Sequence, residues 1–282
     1  VPSKTNEKNN LLFMKDKKVL YVSSEVLPYS PDSEIARMSF EAPRMVNNKG
    51  GQLRVFMPRF GNINERRHQL HEVIRLSGMN IIINDIDVPL IIKVASIPKE
   101  RIQVYFIDND EYFKRSGTLF DENGTFYADN DERCIFFAKG IVETIKKLNW
   151  RPDIIHIHGW LPALLPLYLR TFYKDEPLFS ESKIITSVFD KGFDGQLNTT
   201  LINKVAFDGI SKKVAEPLKE PHYYNLMKMA IKNSDGVIVV SEDMPEDFQT
   251  YLRGLRKPVL FNSDKETFQD SYHNFYLQIL KR

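Results

Sequence analysis

Cysteine is nearly missing from this chain of 282 residues: Cys134 stands alone, so an internal disulfide and a cysteine-rich zinc cage are both excluded. Long apolar runs are also missing. None approaches the roughly 18 residues of a membrane-spanning helix, and the opening Val1-Pro-Ser-Lys-Thr-Asn lacks the apolar core of a signal peptide. A cytoplasmic protein with no membrane partner is the expectation. Charge of one sign is not in excess, with 39 Lys and Arg against 37 Asp and Glu, so no global field favours a polyanion and nucleic acid is not an expected partner. No HExxH, CxxC, GxSxG, Walker or GxGxxG pattern occurs, which leaves metalloprotease, zinc, serine hydrolase and dinucleotide chemistry without a motif. Internal repeats and low-complexity stretches are missing as well.

What is present is material for a large core, with 42% hydrophobic residues and 12% aromatics. Residues 1–16 are polar and read as a disordered lead-in. Lys18 to Ser23 is an apolar run of strand length, Ser33 to Asn48 carries apolar residues at helical spacing with Pro43 inside it, and Gln52 to Pro58 is a second strand. Strand, helix, strand opens a doubly wound sheet whose strands run parallel. The rhythm then breaks: Glu72–Ser77, Met79–Asn84, Val88–Ile97 and Ile102–Ile107 are β-prone runs with no helix between them, which predicts an inserted antiparallel hairpin region. Alternation resumes with a helix over 131–148, a strand over 153–157, a helix over 161–173 and a strand over 183–188. A loop and helix over 194–215 follow, then a helix over 223–233, a strand over 236–240, a helix over 244–251 and a last strand over 259–261. The predicted fold class is therefore α/β, a single Rossmann-like doubly wound and mostly parallel sheet with that insertion and a C-terminal helix. Its boundaries are 17–262 for the domain and 263–282 for a helix packing back on it.

Parallel sheets bind ligands beyond the carboxyl ends of their strands. After the first strand, Ser24 to Glu34 contains no glycine, so the backbone has no ready way to wrap a phosphate, and Asp32 and Glu34 add repulsion. Asp32 or Ser33 is the expected cap of the following helix. His156 and His158 share a face if their strand runs through both, yet no further metal ligand lies nearby in sequence. His158 reads either as a hydrogen-bonded core residue or as a site residue, and Trp160 either as a stacking face for a sugar or as packing beneath the next helix. Tyr127-Ala-Asp-Asn-Asp-Glu-Arg133 precedes a long amphipathic helix that Asp129 or Asn130 would cap. His68, His71, His222 and His273 read as solvated surface.

Lys18-Val-Leu-Tyr-Val-Ser-Ser-Glu-Val-Leu-Pro28, Arg54-Val-Phe-Met-Pro-Arg-Phe-Gly61, Tyr127-Ala-Asp-Asn130 with Arg133, Arg151-Pro-Asp-Ile-Ile-His-Ile-His-Gly-Trp160 and Ser234-Asp-Gly-Val-Ile-Val-Val-Ser241 follow one another as landmarks do in a known family. Together they resemble the N-terminal domain of bacterial glycogen synthases and plant starch synthases. The resemblance implies retaining glucosyl transfer from ADP-glucose or UDP-glucose to an α-1,4-glucan, in a cleft between two Rossmann-like domains and with no cofactor. It makes Tyr29, Asp129, Arg133, His158, Trp160 and Asp190 the candidate substrate-binding residues. Three departures accompany it: Pro31-Asp-Ser-Glu34 stands where the family has a lysine-x-glycine-glycine loop, Gly159 where it has an aspartate, and Phe189 where it has a histidine. Each deletes a polar contact that transition-state stabilisation would use. With no second domain of similar size after residue 262, the expectation is a family protein inactive alone, its catalytic residues none, and the alternative a non-catalytic glucan-binding or regulatory module partnering a true glycosyltransferase.

Overall fold

The computed structural model describes residues 14–15, 17–190, 192–241, 243–261 and 267–282. Most of the lead-in, 1–13 and 16, and the expected boundary at 262–263 lie outside the described residues. Met14 does not belong to a solvated lead-in, because its side chain is buried in the core.

The apolar runs become β1 (Lys18–Ser23) and β2 (Gln52–Pro58), joined by α1 (Glu34–Asn48), and the two strands pair in parallel, Lys18 opposite Gln52. Ser33 caps α1, its Oγ accepting from the Ala36 amide at 3.0 Å. Pro43 sits inside α1 without ending it. A short helix, α2 (Glu65–His68), leads into β3 (His71–Glu72), and β4 (Met79–Ile83), β5 (Ile86–Ile97) and β6 (Ile102–Asp108) complete the insertion. Val73–Ser77, expected as strand, is largely a turn whose Leu76 and Ser77 amides return to the Val73 carbonyl, at 2.9 and 3.1 Å. Strand β6 has two characters: antiparallel to β5 on one side and parallel to β2 on the other, it seams the insertion into the main sheet.

Beyond it come α3 (Asp110–Phe113), α4 (Asn130–Leu148) and β7 (Ile154–His158). The helix expected over 161–173 is shorter and begins as a 3-10 turn at Leu161–Leu164 before α5 (Leu165–Arg170); Pro162 and Pro166 each stand at the start of one piece. The remaining elements are β8 (Lys183–Val188), α6 (Leu201–Phe207), α7 (Tyr223–Lys232), β9 (Gly236–Val239), α8 (Glu246–Arg253), β10 (Val259–Phe261) and α9 (Phe268–Leu280).

The sheet has ten mostly parallel strands in the order β10-β9-β8-β7-β1-β2-β6-β5-β3, with β4 on β5. Strand β1 is central, and the chain runs outward from it first towards β2 and later towards β7. Order reverses there, so the crevice beyond the ends of β1 and β7 is where a doubly wound sheet opens a binding site. From Val19 to Ser23 every residue of β1 is buried, as is all of β7, which is the signature of strands covered on both faces. Helix α9 lies against this centre. The Tyr276 hydroxyl reaches Tyr21 of β1 at 2.9 Å and His156 of β7 at 2.7 Å, and Ile279 covers the bare backbone of Gly236. His273, expected at the surface, is buried on the same helix.

Candidate functional site

A cleft of about 830 Å³ opens beyond the carboxyl ends of β1, β2, β7 and β8. Ser24 and Glu25 line it after β1, Ser30, Pro31, Ser33, Glu34, Ile35 and Arg37 from the β1–α1 loop and first helical turn, Phe60 and Asn62 after β2, Trp160 after β7, and Phe189, Asp190 and Gly192 after β8. Residues 116–119 form the remaining wall.

Helix α4 holds that wall in place through its first turn. Asp129 takes Arg115 in a two-pronged pair at 2.7 and 2.5 Å, so its carboxylate does not cap the helix. The Asn130 amide donates to the Leu119 carbonyl at 3.1 Å, and Arg133 Nη1 donates to the Thr118 carbonyl at 2.6 Å and to Asn130 Oδ1 at 2.5 Å. Arg133 is wholly buried beneath the rings of Phe60, Phe113 and Tyr127, and burial, followed by the nearby Arg115, pulls its pKa down to about 10. Asp129 and Arg133 are therefore positioning residues: neither lines the cleft, and both fix the backbone that does.

The ends of β1 and β7 meet through the Ser24 amide, which donates to the His158 carbonyl at 3.3 Å. Gly159 follows at φ +84°, a left-handed conformation in which a Cβ would stand 2.3 Å from Ser24 Oγ. That hydroxyl is buried and has no hydrogen-bond partner among the described residues. His158 itself points away from the cleft. Its Nδ1 meets Ser39 Oγ at 2.8 Å and its Nε2 meets His156 Nε2 at 3.2 Å; His156 in turn meets Ser187 Oγ at 2.7 Å. Burial keeps both imidazoles neutral, holding His156 well below the usual range and His158 at about 3. Of the two roles open to His158, the hydrogen-bonded core residue is the one the geometry matches.

Trp160 lines the cleft at 6% exposure with its ring against that of Phe193 at 5.5 Å, so little of it is open for a sugar to stack on. Phe189 lines it too, almost fully buried, with its ring 5.8 Å from that of His158. Asp190 and Pro31 are on the cleft surface. Tyr29 is not: it is buried, packed edge-on against His68 and Phe106, and faces a different cavity. The fold thus gathers Asp190 and Trp160 of the six candidates and sets Asp129 and Arg133 behind them. Sequence reading missed Glu25, Asn62 and the 116–119 wall; only the following Tyr127–Arg133 cluster hinted that something was being gripped. Among the described residues no group of His, Cys, Asp and Glu could hold a metal ion.

The cleft's charge is lopsided. Among the described residues, Glu25, Glu34 and Asp190 face one arginine, Arg37, which is committed to Asp32 at 2.8 Å; Glu25 accepts from Ser33 Oγ. Such a lining supplies acceptors for hydroxyl groups and little for a phosphate.

Residues 18–258 match the family described as starch synthase catalytic domain. Among curated relatives, the glycogen synthase of Chlorobium limicola is 39% identical over 195 residues, covering 69% of this chain and 40% of that protein. The glycogen synthase of Pelodictyon phaeoclathratiforme is 32% identical over 243 residues, covering 84% of this chain and 49% of its own length. The chain spans about half, or less, of the curated relatives it matches. In fold it is similar to the catalytic domain of starch synthase IV from Arabidopsis thaliana, bound there to ADP and acarbose, with a TM-score of 0.68 and 17% identity over 94% of this chain and 50% of that one. With the doubly wound sheet, the crevice at its switch point and a match over nearly all of that sheet, this chain belongs to the starch synthase catalytic domain family, the family of the glycogen synthases.

Proposed function

We propose that this chain holds an α-glucan in the cleft and does not itself transfer glucose. One observation carries the reading: at two of the three departures from the family pattern the cleft presents Pro31 and the buried ring of Phe189, the third, Gly159, brings no side chain beside the lining residue Trp160, and the charged lining among the described residues is mostly acidic. A neutral polyol is compatible with that lining. Among the described lining residues the pyrophosphate of ADP-glucose or UDP-glucose meets three carboxylates and one arginine already paired with Asp32, so stabilisation of a departing nucleotide has little source among them. The family's activity, glucosyl transfer from a nucleotide-glucose, is in this reading what the domain supports by ancestry, and a glycosyltransferase partner is what would use the bound glucan.

Two measurements test it. The purified chain is incubated with ADP-glucose or UDP-glucose and glycogen, and nucleotide release at background is expected; release proportional to protein concentration defeats the claim of inactivity. In glycogen co-sedimentation the chain is retained, and Asp190→Ala weakens retention several-fold by removing an acceptor for sugar hydroxyls. No retention of the unaltered chain removes the glucan reading.

A further inference from the structure

A second cavity, of about 630 Å³, lies between α2, the turn joining β5 to β6 and the β1–α1 loop, and its lining differs in kind from that of the cleft. Arg67, Lys99 and Arg101 are exposed around it, and no carboxylate lines it. Among the described residues, none of these three side chains has an ion-pair or hydrogen-bond partner. The carboxylates next in sequence are engaged elsewhere, Glu65 with Lys93 at 2.7 Å and Glu100 with Arg44 at 3.4 Å. Three positive charges therefore border one cavity without compensation among the described residues, an arrangement that favours a bound anion.

The interior supplies an independent sign. Tyr29 is 5% exposed, its ring held edge-on by Phe106 and by His68, each at 5.0 Å, and its hydroxyl is buried without a hydrogen-bond partner among the described residues. A lost partner for a buried hydroxyl costs about 1–3 kcal/mol, which makes it a donor kept for something. The backbone adds a third sign. Of the five non-glycine residues with positive φ among those described, Asn84 and Asn149 are of a type that tolerates it, and the other three, Gln69, Lys99 and Arg101, all line this cavity.

We propose that this cavity binds a phosphate-bearing small molecule, with Arg67, Lys99 and Arg101 around its phosphate and the Tyr29 hydroxyl donating to a phosphate oxygen. Arginine forks and a lysine point charge suit the tetrahedral dianion, and charge-assisted bonds make such contacts the strong ones. The site is separate from the cleft in lining and charge, yet Tyr29 immediately precedes Ser30 and Pro31, which line the cleft wall. Occupancy of one cavity therefore bears on a loop of the other.

Calorimetric titration of the full chain at low salt with inorganic phosphate, a hexose monophosphate and glucose tests the proposal. Saturable binding of the phosphate compounds, with glucose silent, is expected; a hexose monophosphate binding more tightly than inorganic phosphate identifies a sugar phosphate as the ligand, and equal affinities identify free phosphate. Arg67→Ala with Arg101→Ala weakens binding at least about tenfold. Tyr29→Phe keeps the ring packing and removes only the hydroxyl, so the melting temperature without ligand holds or rises while the gain on adding phosphate shrinks. The proposal is overturned by the lack of saturable binding of either phosphate compound, by glucose binding as well as they do, or by unchanged affinity in both variants.

Discussion

Gly159 shows how tightly one position is fixed by its surroundings. Its φ of +84° belongs to glycine, and the space a side chain would need is held by Ser24 Oγ. Placing alanine there combines left-handed strain with a contact too close to keep, so Gly159→Ala is expected to lower stability by about 1–3 kcal/mol in urea unfolding. Ser24→Ala removes the obstructing oxygen, itself an unpaired buried group, and costs little alone. In the double variant the loss falls well short of that in Gly159→Ala, leaving only the strain; additivity of the two single effects would show that the crowding is not the cause. An aspartate at 159 faces the same two obstacles, so restoring the family residue alone is expected to destabilise the fold without producing nucleotide release.

At the scale of elements, the first turn of α4 works as a clamp on residues 115–119. Asp129→Asn removes the charge from the Arg115 pair, and the amides of 116–119 are expected to exchange with deuterium several-fold faster while those in the middle of α4 hold. Equal acceleration in both would mean that the helix, and not the wall, had loosened. This clamp also marks the limit of what sequence conveys. The order of elements was legible because strands buried on both faces read as short apolar runs, β1, β7 and β8 above all. Val73–Ser77 misled for the same reason: Val73 and Leu76 are apolar, but the backbone bonds close a turn. Asp129 looked like a cap because acidic residues favour helix starts, and nothing local announced that Arg115, 14 residues back, would claim it. His158 stayed open between two roles because its partner Ser39 is 119 positions away on α1, and His273 misled because the strands that α9 packs against lie far back along the chain. Of the site, the strand ends were readable and the wall between them was not.

The whole molecule is sensitive to acid through its centre. His156 and His158 are neutral when folded, with pKa values depressed by burial below the roughly 6.5 of an unfolded chain. Below that value the unfolded state binds protons that the folded state refuses, so stability falls with pH. Each imidazole removes about 1.4 kcal/mol per pH unit until its folded pKa is reached, near 3 for His158. Thermal melts followed by circular dichroism should therefore drop steeply from pH 6.5 towards 4.5, and His158→Asn should flatten the slope; an unchanged slope would assign acid sensitivity to other groups. Tyr276→Phe unties α9 from the same centre and should cost about 1–3 kcal/mol, since it strips a partner from both Tyr21 and His156. The bond between Tyr21 and Tyr276 spans 255 positions. On a ribosome, β1 is made 255 positions before this partner and waits for it. Final consolidation is thus deferred by roughly 13–50 s at ordinary elongation rates. In that interval the middle of the sheet is without one of its covers, and a nascent chain of this kind is a natural client for a chaperone that binds exposed apolar strands.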